Sequence, residues 1–338
     1  RVPHGCDGQG LSDRRACLSV VLAEAWLLGR AAVLPRFTLD AGRHNLGVQL
    51  PDTDLREYFS LARIPVEVVA EEDVCWDEHE VLVASGPLDP RDWRGCRARV
   101  LARPCVEGFW RNEVHAAVRH LAGELHGTGM KPTSGLFCPA AAVARAAAEA
   151  ARRLGGAYIG VHVRRGDKLD MMLGLVEATE PRAVAIAVAS VAPPGVRRVY
   201  VATNDRGADF VSALAALGFQ CYGPDDLFEK RFFASDNHLL FAAEMKLVDD
   251  ATVCLRTFND STPWYYADEP QLSHYLIDRS MHDYIFGFSA TGTLCRHFER
   301  PVDLARTTPE QALLALSREP GPSPLSFRPV VGLPRQKK

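Results

Sequence analysis

The sequence lacks the short motifs that identify several large classes of protein. None of its 9 cysteines belongs to a CxxC pair, so a zinc site is not expected. GxSxG, HExxH and GxxxxGK followed by Ser or Thr are all absent, and the last absence excludes a P-loop. The glycine-rich stretch at 5–10 is not GxGxxG, which disfavours a nicotinamide cofactor. We also expect no DxD triplet, which argues against a sugar transferase that chelates its nucleotide through a metal.

A strong net charge and long apolar runs are also missing. The 338 residues carry a net charge of −3, so any anion binding must be local. No run of about 20 apolar residues is present, and the nearest candidate, 17–35, contains Glu24 and Arg30. A signal peptide or membrane anchor would lie outside the numbered chain. The cysteines are irregularly spaced, which leaves disulfides in an oxidising compartment and buried thiols equally open.

The sequence does contain the alternating pattern of an α/β protein. Apolar residues at helical spacing predict a helix over 18–28 that ends at Gly29, followed by a buried strand at 31–35. After residue 140, strands and helices alternate as β-α-β-α-β-α-β, which predicts a parallel sheet covered by helices. The length of 338 residues indicates more than one core. We therefore expect two facing Rossmann-like domains over 1–139 and 140–319, then an irregular Pro-rich tail over 320–338.

The first half is less regular. VEVVA at 66–70 and EVLVASG at 80–86 are typical of strands, and residues 110–126 predict an amphipathic helix. Residues 127–139 are rich in Gly and Pro and are interpreted as a linker.

Three polar clusters follow strands of the second half, at the edge where ligands bind in such sheets. They are residues 164–168, 203–206 and 257–261. Arginines at such an edge are suited to bind a phosphate through two hydrogen bonds. Alternation places Arg164 on the strand face of His162 and Arg165 on the opposite face. We expect one arginine to bind phosphate and the other to pair with a carboxylate such as Asp167; a surface salt-bridge cluster is the alternative.

The remaining polar groups each allow two interpretations. Asp205 could accept hydrogen bonds from a sugar hydroxyl or base edge, or it could cap the following helix. Phe258 could stack on a base or pack in a core, while the hydroxyls and amides beside it suit phosphate oxygens. The glycine-rich turn before the first helix can bring backbone N–H groups close to an anion.

Together these pieces resemble the GDP-fucose-dependent fucosyltransferases. The resemblance rests on HVRRGDK after a buried strand, the glycine-rich turn before a helix, VYVATND, and a final strand followed by TF and a Ser. The superfamily includes core α1,6-fucosyltransferases, nodulation-factor fucosyltransferases and protein O-fucosyltransferases. The resemblance implies an α/β GT-B fold with an interdomain cleft, a GDP-fucose donor, inversion at the anomeric carbon, and no required metal or cofactor.

The resemblance also implies roles for individual residues. One of Arg164 and Arg165 grips the donor diphosphate. Gln9 stands where one protein O-fucosyltransferase subgroup has a proposed glutamate base, so Asp7 or Asp13 would substitute for it. The other implied donor-side positions are Gly8, Gly10, Arg14, His162, Asp167, Lys168, Asn204, Asp205, Glu244, Thr257, Phe258, Asn259, Asp260 and Ser261.

Some of these positions depart from the family pattern. Asn204 occupies the first place of an acidic pair, and Asn259 and Asp260 stand where serines are usual. Glu244 falls where the core α1,6 enzymes carry an aspartate that binds guanine or shapes its pocket.

The sequence thus predicts an inverting, metal-independent fucosyltransferase that acts on a glycan or protein hydroxyl. The departures leave two alternatives open: a transferase of the same fold that uses another nucleotide sugar, and a non-catalytic nucleotide- or carbohydrate-binding relative. Neither a nucleic-acid partner nor a particular acceptor is indicated. If the source is eukaryotic, we expect the lumen of the secretory pathway, in the Golgi or endoplasmic reticulum.

Overall fold

The structure is a computed structural model that describes residues 10–34, 36–39, 50–76, 81–83, 93, 96, 100–103, 137–166, 169, 176, 179–230 and 236–256. Its helices are α1 (Leu11–Leu28), α2 (Ala141–Leu154), α3 (Pro181–Val191), α4 (Phe210–Ala215), α5 (Pro224–Leu227) and α6 (Asn237–Asp249). The strands of the first half are β1 (Ala32–Leu34), β2 (Phe37–Leu39), β3 (Leu50–Thr53), β4 (Phe59–Ser60), β5 (Val68–Ala70), β6 (Val81–Val83) and β7 (Val100–Ala102). Those that follow are β8 (Cys138–Pro139), β9 (Ile159–Val163), β10 (Arg198–Thr203), β11 (Gln220–Tyr222) and β12 (Val253–Arg256).

The second half contains a 4-stranded parallel sheet in the order β11-β10-β9-β12. A parallel sheet needs a crossover between successive strands, and helices α3, α4 and α6 belong to those crossovers. The predicted β-α-β-α-β-α-β alternation is therefore confirmed over 159–256. β9 lies between β10 and β12 and is hydrogen-bonded to both strands.

The two faces of this sheet contribute to different apolar clusters. Ile159, Val161 and Val163 pack with residues of α3 and α4 on one face. Tyr200 and Cys254 belong to the cluster that includes α2 and α6 on the other. This double coverage explains why the strands are apolar on both faces, as expected for a buried parallel sheet.

Gly160 allows α6 to lie directly on β9. A Cβ added at this position would be 2.8 Å from the Val248 Cα and 2.9 Å from the Ala251 Cβ. Only glycine permits this approach of helix to strand. The close contact fixes α6, whose Phe241 and Glu244 face the sheet, at a defined height above β9.

Helix α1 is the centre of the first half. The predicted helix and its end at Gly29 are confirmed, and Gly29 adopts the left-handed φ of 64°. β1 pairs in parallel with β5, and β6 with β7, so the strands expected at 66–70 and 80–86 are present. The helix predicted over 110–126 lies outside the described residues.

A buried ion pair crosses this half. Arg103 Nε donates to Glu24 Oε2 at 2.9 Å and its Nη2 to Oε1 at 3.1 Å, with both side chains almost wholly buried. Burial raises the pKa of the Glu24 carboxyl above its ordinary value, and Arg103 opposes that shift. The pair joins α1 to the residue that follows β7.

Tyr58 links the two halves of the chain. Its phenol donates to Asp236 Oδ2 at 2.8 Å, and its carbonyl accepts from the Ala140 N–H at 2.8 Å. Next to it, β4 pairs with β8 in antiparallel register. One apolar cluster runs from Leu11 to Cys254 and includes Tyr58. The boundary expected near 139 remains a prediction, but the residues on its two sides share a core.

Two sequence expectations, on membrane-spanning segments and on the cysteines, can be compared with the part of the chain that the structure describes. No helix among the described residues has the length and apolar character needed to cross a membrane. Cys75, Cys96 and Cys221 carry free thiols, and burial raises the pKa of the Cys221 thiol to about 11. Cys75 is exposed and Cys96 and Cys221 are partly exposed, so these three are free thiols without being buried ones.

Candidate functional site

The candidate site lies at the carboxyl ends of β9 and β10. Val163 and Thr203, the last residues of these strands, are direct neighbours in the parallel register. The residues that follow, Arg164 and Arg165 on one strand and Asn204 and Asp205 on the other, are therefore brought together. The sequence predicted this meeting of two clusters. The third cluster, Thr257 to Ser261, lies outside the described residues.

Arg165 is a buried arginine whose hydrogen bonds are directed into the protein. Its Nε donates to Asp205 Oδ2 at 2.8 Å, and its Nη1 donates to Thr179 Oγ1 at 2.7 Å and to the Val176 carbonyl at 3.4 Å. The residue is 9% exposed. A guanidinium held in this way fixes the loop around it.

An arginine–carboxylate pair of the kind expected at this edge thus exists. Arg165 pairs with the carboxylate of Asp205, 40 residues away. Local sequence proximity suggested Asp167, whereas strand pairing supplies Asp205. Asp167 and Lys168 lie outside the described residues.

Asp205 is not a helix cap, so that alternative is wrong. The N-cap of α4 is Asp209, whose side chain accepts from the Ser212 N–H at 2.9 Å. Asp205 instead closes its own turn by accepting from the Gly207 N–H at 3.1 Å, and its N–H donates to Thr203 Oγ1 at 3.1 Å. One carboxylate oxygen therefore serves the turn and the other serves Arg165.

Asn204 contacts the turn that contains the two arginines. Its Oδ1 accepts from the Arg165 backbone N–H at 2.8 Å. Gly166 follows with a left-handed φ of 50°, and a Cβ built there would lie 2.3 Å from Asn204 Nδ2. Glycine at 166 is required by both conformation and space.

Arg164 and His162 lie on the other side of β9 from the Arg165 side chain. The His162 ring packs edge-on against Phe241 of α6, with 6.2 Å between ring centroids. Arg164 is half-buried at the end of the strand, and alternation assigns it to the His162 side. Because Arg165 is committed to Asp205 and Thr179, Arg164 is the stronger candidate for contact with an anion.

Glu244 lies deeper than a ligand at the sheet edge would. Its Oε1 accepts from the Tyr200 hydroxyl at 2.7 Å, and Tyr200 pairs with Gly160 near the start of β9. Burial raises the pKa of Glu244 to about 7, while the Tyr200 hydrogen bond and Arg206 oppose the shift. A role of Glu244 in binding a donor base remains a prediction, and the hydrogen bond to Tyr200 is what the structure adds.

The glycine-rich turn is described only from Gly10 onward. Gly10 caps α1, and its carbonyl accepts from the Arg14 N–H at 3.1 Å. Arg14 is 6% exposed, and Arg15 stacks over Phe59 with 5.1 Å from its guanidinium carbon to the ring centroid. Asp13 lies in the first turn of α1, where its side chain is not described. Asp7 and Gly8 lie outside the described residues.

The expectation that the chain has no DxD triplet is wrong. Asp52, Thr53 and Asp54 form one at the end of β3. Asp54 caps the following 3₁₀ turn by accepting from the Arg56 N–H at 2.8 Å, and it also pairs with the Arg56 guanidinium. Thr53 is buried. Asp54 is thus engaged by Arg56, and the described residues contain no cluster of three or more metal-ligating side chains.

Sequence reasoning missed one contributor to this site, Thr179, which accepts an Arg165 hydrogen bond. It named Asn204 as a donor-side position but not its contact with the turn backbone. The signal that could have revealed its contact is the strand order, which places the first residue after β10 beside the first residue after β9.

Comparison with known proteins supports the fold. No family model matches the sequence, and no curated protein matches it. Among solved structures, POFUT1 in complex with GDP-fucose superposes with a TM-score of 0.52 at 12% identity, over 76% of this chain and 90% of that one. The fucosyltransferase NodZ from Bradyrhizobium gives a TM-score of 0.44 at 16% identity, over 76% of this chain and 89% of that one. The mixed α/β fold of this chain is therefore similar to that of POFUT1.

Proposed function

We propose that the protein is an inverting glycosyltransferase that transfers fucose from GDP-fucose to a hydroxyl group of a glycan or protein. The observation that carries the proposal is the Arg164–Gly166 turn at the carboxyl edge of the sheet. Arg165 fixes this turn from within through its hydrogen bonds to Asp205 and Thr179, and Arg164 is the first residue of the turn. The similar fold of POFUT1, solved with GDP-fucose, supports this choice of donor.

The charge at this edge suits a diphosphate. Arg164 and Arg165 are adjacent, and Asp205 pairs with Arg165. When the bond between fucose and phosphate breaks, negative charge develops on GDP and positive charge on the sugar. A guanidinium already in place stabilises the leaving group without waiting for water or protein to reorganise.

The proposed architecture is GT-B, with the donor bound by the second half and the acceptor by the first. The parallel sheet over 159–256 and the parallel strand pairs β1-β5 and β6-β7 support two Rossmann-like units. A cleft between them would place the acceptor hydroxyl on the face of the sugar opposite GDP, as inversion requires.

In the proposed mechanism, the general base that accepts the proton of the acceptor hydroxyl contributes little to the rate. Gln9 cannot accept a proton at neutral pH, so Asp7 or Asp13 is the proposed acceptor of the hydroxyl proton. In a dissociative displacement the fucosyl cation forms early, and the hydroxyl needs little activation. No metal or cofactor is part of the proposal. We expect residence in the lumen of the secretory pathway and a membrane anchor outside the numbered chain, but the proposal does not depend on either.

A binding-only relative is the second candidate, and Gln9 is the observation that favours it. Isothermal titration calorimetry with GDP and UDP, together with an assay of GDP-fucose hydrolysis and transfer to glycan and peptide acceptors, separates the candidates. We expect tighter binding of GDP than of UDP, and release of fucose from GDP-fucose. Tighter binding of UDP would refute the fucose donor. Binding of GDP without any turnover would favour the binding-only relative.

A further inference from the structure

We propose that Asn204 is a positioning residue that sets the direction of Arg164 by holding the backbone of the Arg164–Gly166 turn. The inference rests on the proposed function, because it assigns to Asn204 a share in binding the donor diphosphate. Asn204 does this without contacting the donor itself.

The first support is the hydrogen bond from the Arg165 N–H to Asn204 Oδ1, at 2.8 Å. That N–H belongs to the peptide unit between Arg164 and Arg165. Because the peptide unit is planar, a hydrogen bond to its N–H fixes the orientation of the whole plane, including the Arg164 carbonyl. The torsion that follows the Arg164 Cα is then set, and with it the direction in which the side chain leaves the strand.

The second support is the contact with Gly166. A Cβ at this position would meet Asn204 Nδ2 at 2.3 Å, so the carboxamide occupies the space that a side chain would need. One end of the carboxamide thus holds the peptide before Arg165, and the other end borders the residue after it. A single side chain just after β10 thus contacts the chain on both sides of the arginine that anchors the turn.

The third support is that side-chain and backbone anchoring are separate. Asp205 and Thr179 hold the guanidinium of Arg165, whereas Asn204 holds its N–H. Loss of Asn204 therefore leaves Arg165 paired and the loop in place, while the Arg164 peptide gains freedom. The expected defect is in donor binding and turnover rather than in folding.

The test compares Asn204→Ala with Asp209→Ala. Both residues lie between β10 and α4, and each side chain accepts from a backbone N–H: Asn204 from Arg165 at 2.8 Å and Asp209 from Ser212 at 2.9 Å. By calorimetry we expect Asn204→Ala to weaken GDP binding roughly fivefold, the scale of one lost hydrogen bond. Asp209→Ala should lower the melting temperature and leave GDP affinity unchanged. Asn204→Asp, which keeps an acceptor of the same shape, should restore most of the affinity.

Steady-state hydrolysis of GDP-fucose provides the second readout. A misdirected Arg164 should lower kcat by a larger factor than it raises KM, because the leaving-group charge is greatest in the transition state. Asn204 is exposed, so its truncation should be tolerated. Asn204→Ser is a second truncation that tests the same point. Gly166→Ala should be more harmful in the wild type than in the Asn204→Ala background, since the collision is with Asn204.

The outcomes are distinct. Wild-type protein that binds no GDP would overturn the proposed function and, with it, this inference. Wild-type protein that binds GDP, with Asn204→Ala equal to it in affinity and kcat, would overturn the inference alone. Equal loss of GDP affinity in Asp209→Ala would also overturn it, because the effect would then belong to the loop as a whole.

Discussion

Two arginine–carboxylate pairs lie in different surroundings in this chain. In the core pair, the side chains of Glu24 and Arg103 are 4% and 3% exposed, and two hydrogen bonds join them. In the edge pair, the side chains of Arg165 and Asp205 are 11% and 26% exposed, and one hydrogen bond joins them. The members of the edge pair direct their other hydrogen bonds to Thr179, Val176 and Gly207.

This difference indicates what each pair does. The core pair joins two elements deep in the first half, where an unpaired charge would be costly. The edge pair distributes its hydrogen bonds over a loop next to the proposed donor site. Breaking the first should affect stability above all, and breaking the second should affect function as well.

Arg103→Met should have the largest effect. It leaves the Glu24 carboxyl buried without its partner, and we expect the free energy of unfolding to fall by about 3–5 kcal/mol. Urea denaturation followed by circular dichroism measures this fall. The double variant Glu24→Leu/Arg103→Met removes both charges and should recover much of the loss. A single variant as stable as the wild type would show that the core pair is not a pair in solution.

Arg164→Ala should come next, with its main effect on function. Removing one preorganised donor from a developing charge costs on the order of 100- to 1000-fold in turnover. We expect such a loss in GDP-fucose hydrolysis from protein that is still folded, as the melting temperature would show. Arg197→Ala is the matched control, because Arg197 is an exposed arginine that precedes the amino end of β10. Normal turnover by Arg164→Ala would contradict the assignment of the two arginines.

Asp205→Ala should have a smaller effect on stability than Arg103→Met, because water can reach part of the edge pair. We expect a loss of about 1–2 kcal/mol, together with weaker GDP binding. Chemical denaturation and calorimetry measure the two effects on the same preparation. If stability falls without any change in GDP affinity, the edge pair holds the loop but not the site.

Glu244 provides a third carboxylate, which is buried and hydrogen-bonded to a tyrosine rather than an arginine, and its predicted effect depends on pH. Its pKa is raised from 4.5 to about 7, so the folded state binds a proton that the unfolded state releases. Stability from this group is fully present below pH 4.5 and is lost as the pH rises towards 7. The loss is at most about 1.4 kcal/mol per pH unit.

Glu244→Gln isolates this contribution. Glutamine keeps an acceptor for the Tyr200 hydroxyl but does not titrate. The stability difference between wild type and variant should therefore change between pH 5 and 7 in urea denaturation, in the direction of lower wild-type stability at higher pH. A difference that stays constant over this range would show that Glu244 does not change its protonation there.

The sequence was sufficient for the sheet of the second half because its strands are short apolar runs between helices of regular spacing. The positions of Ile159–Val163 and Arg198–Thr203 follow from that pattern, and so does the meeting of the polar clusters that follow these two strands. The partner of Arg165 did not follow, because Asp167 is close in sequence and Asp205 is close only through strand pairing. Sequence spacing gives faces, whereas partners depend on the register of neighbouring strands.

The polar contacts of the core were also beyond reach of the sequence. In the sequence, Glu24 was noted only as a charge that interrupts an apolar run. Nothing near it in the sequence identifies Arg103 as its partner. The Tyr58–Asp236 bond joins residues 178 apart. Glu244 was placed by resemblance, and only the packing of α6 on Gly160 shows how deep its carboxyl lies.

Tyr58 also limits where the chain can be cut. A fragment that ends at 139 would lose the Asp236 acceptor and the apolar neighbours from α2 and α6, while the remaining fragment would lose those from α1. Asp236 caps α6 with its other oxygen, at 2.9 Å from the His238 N–H, so the phenol and the helix end share one carboxylate. Separately expressed halves should each expose apolar surface that promotes aggregation. Co-expression of the two halves should be needed to obtain soluble protein.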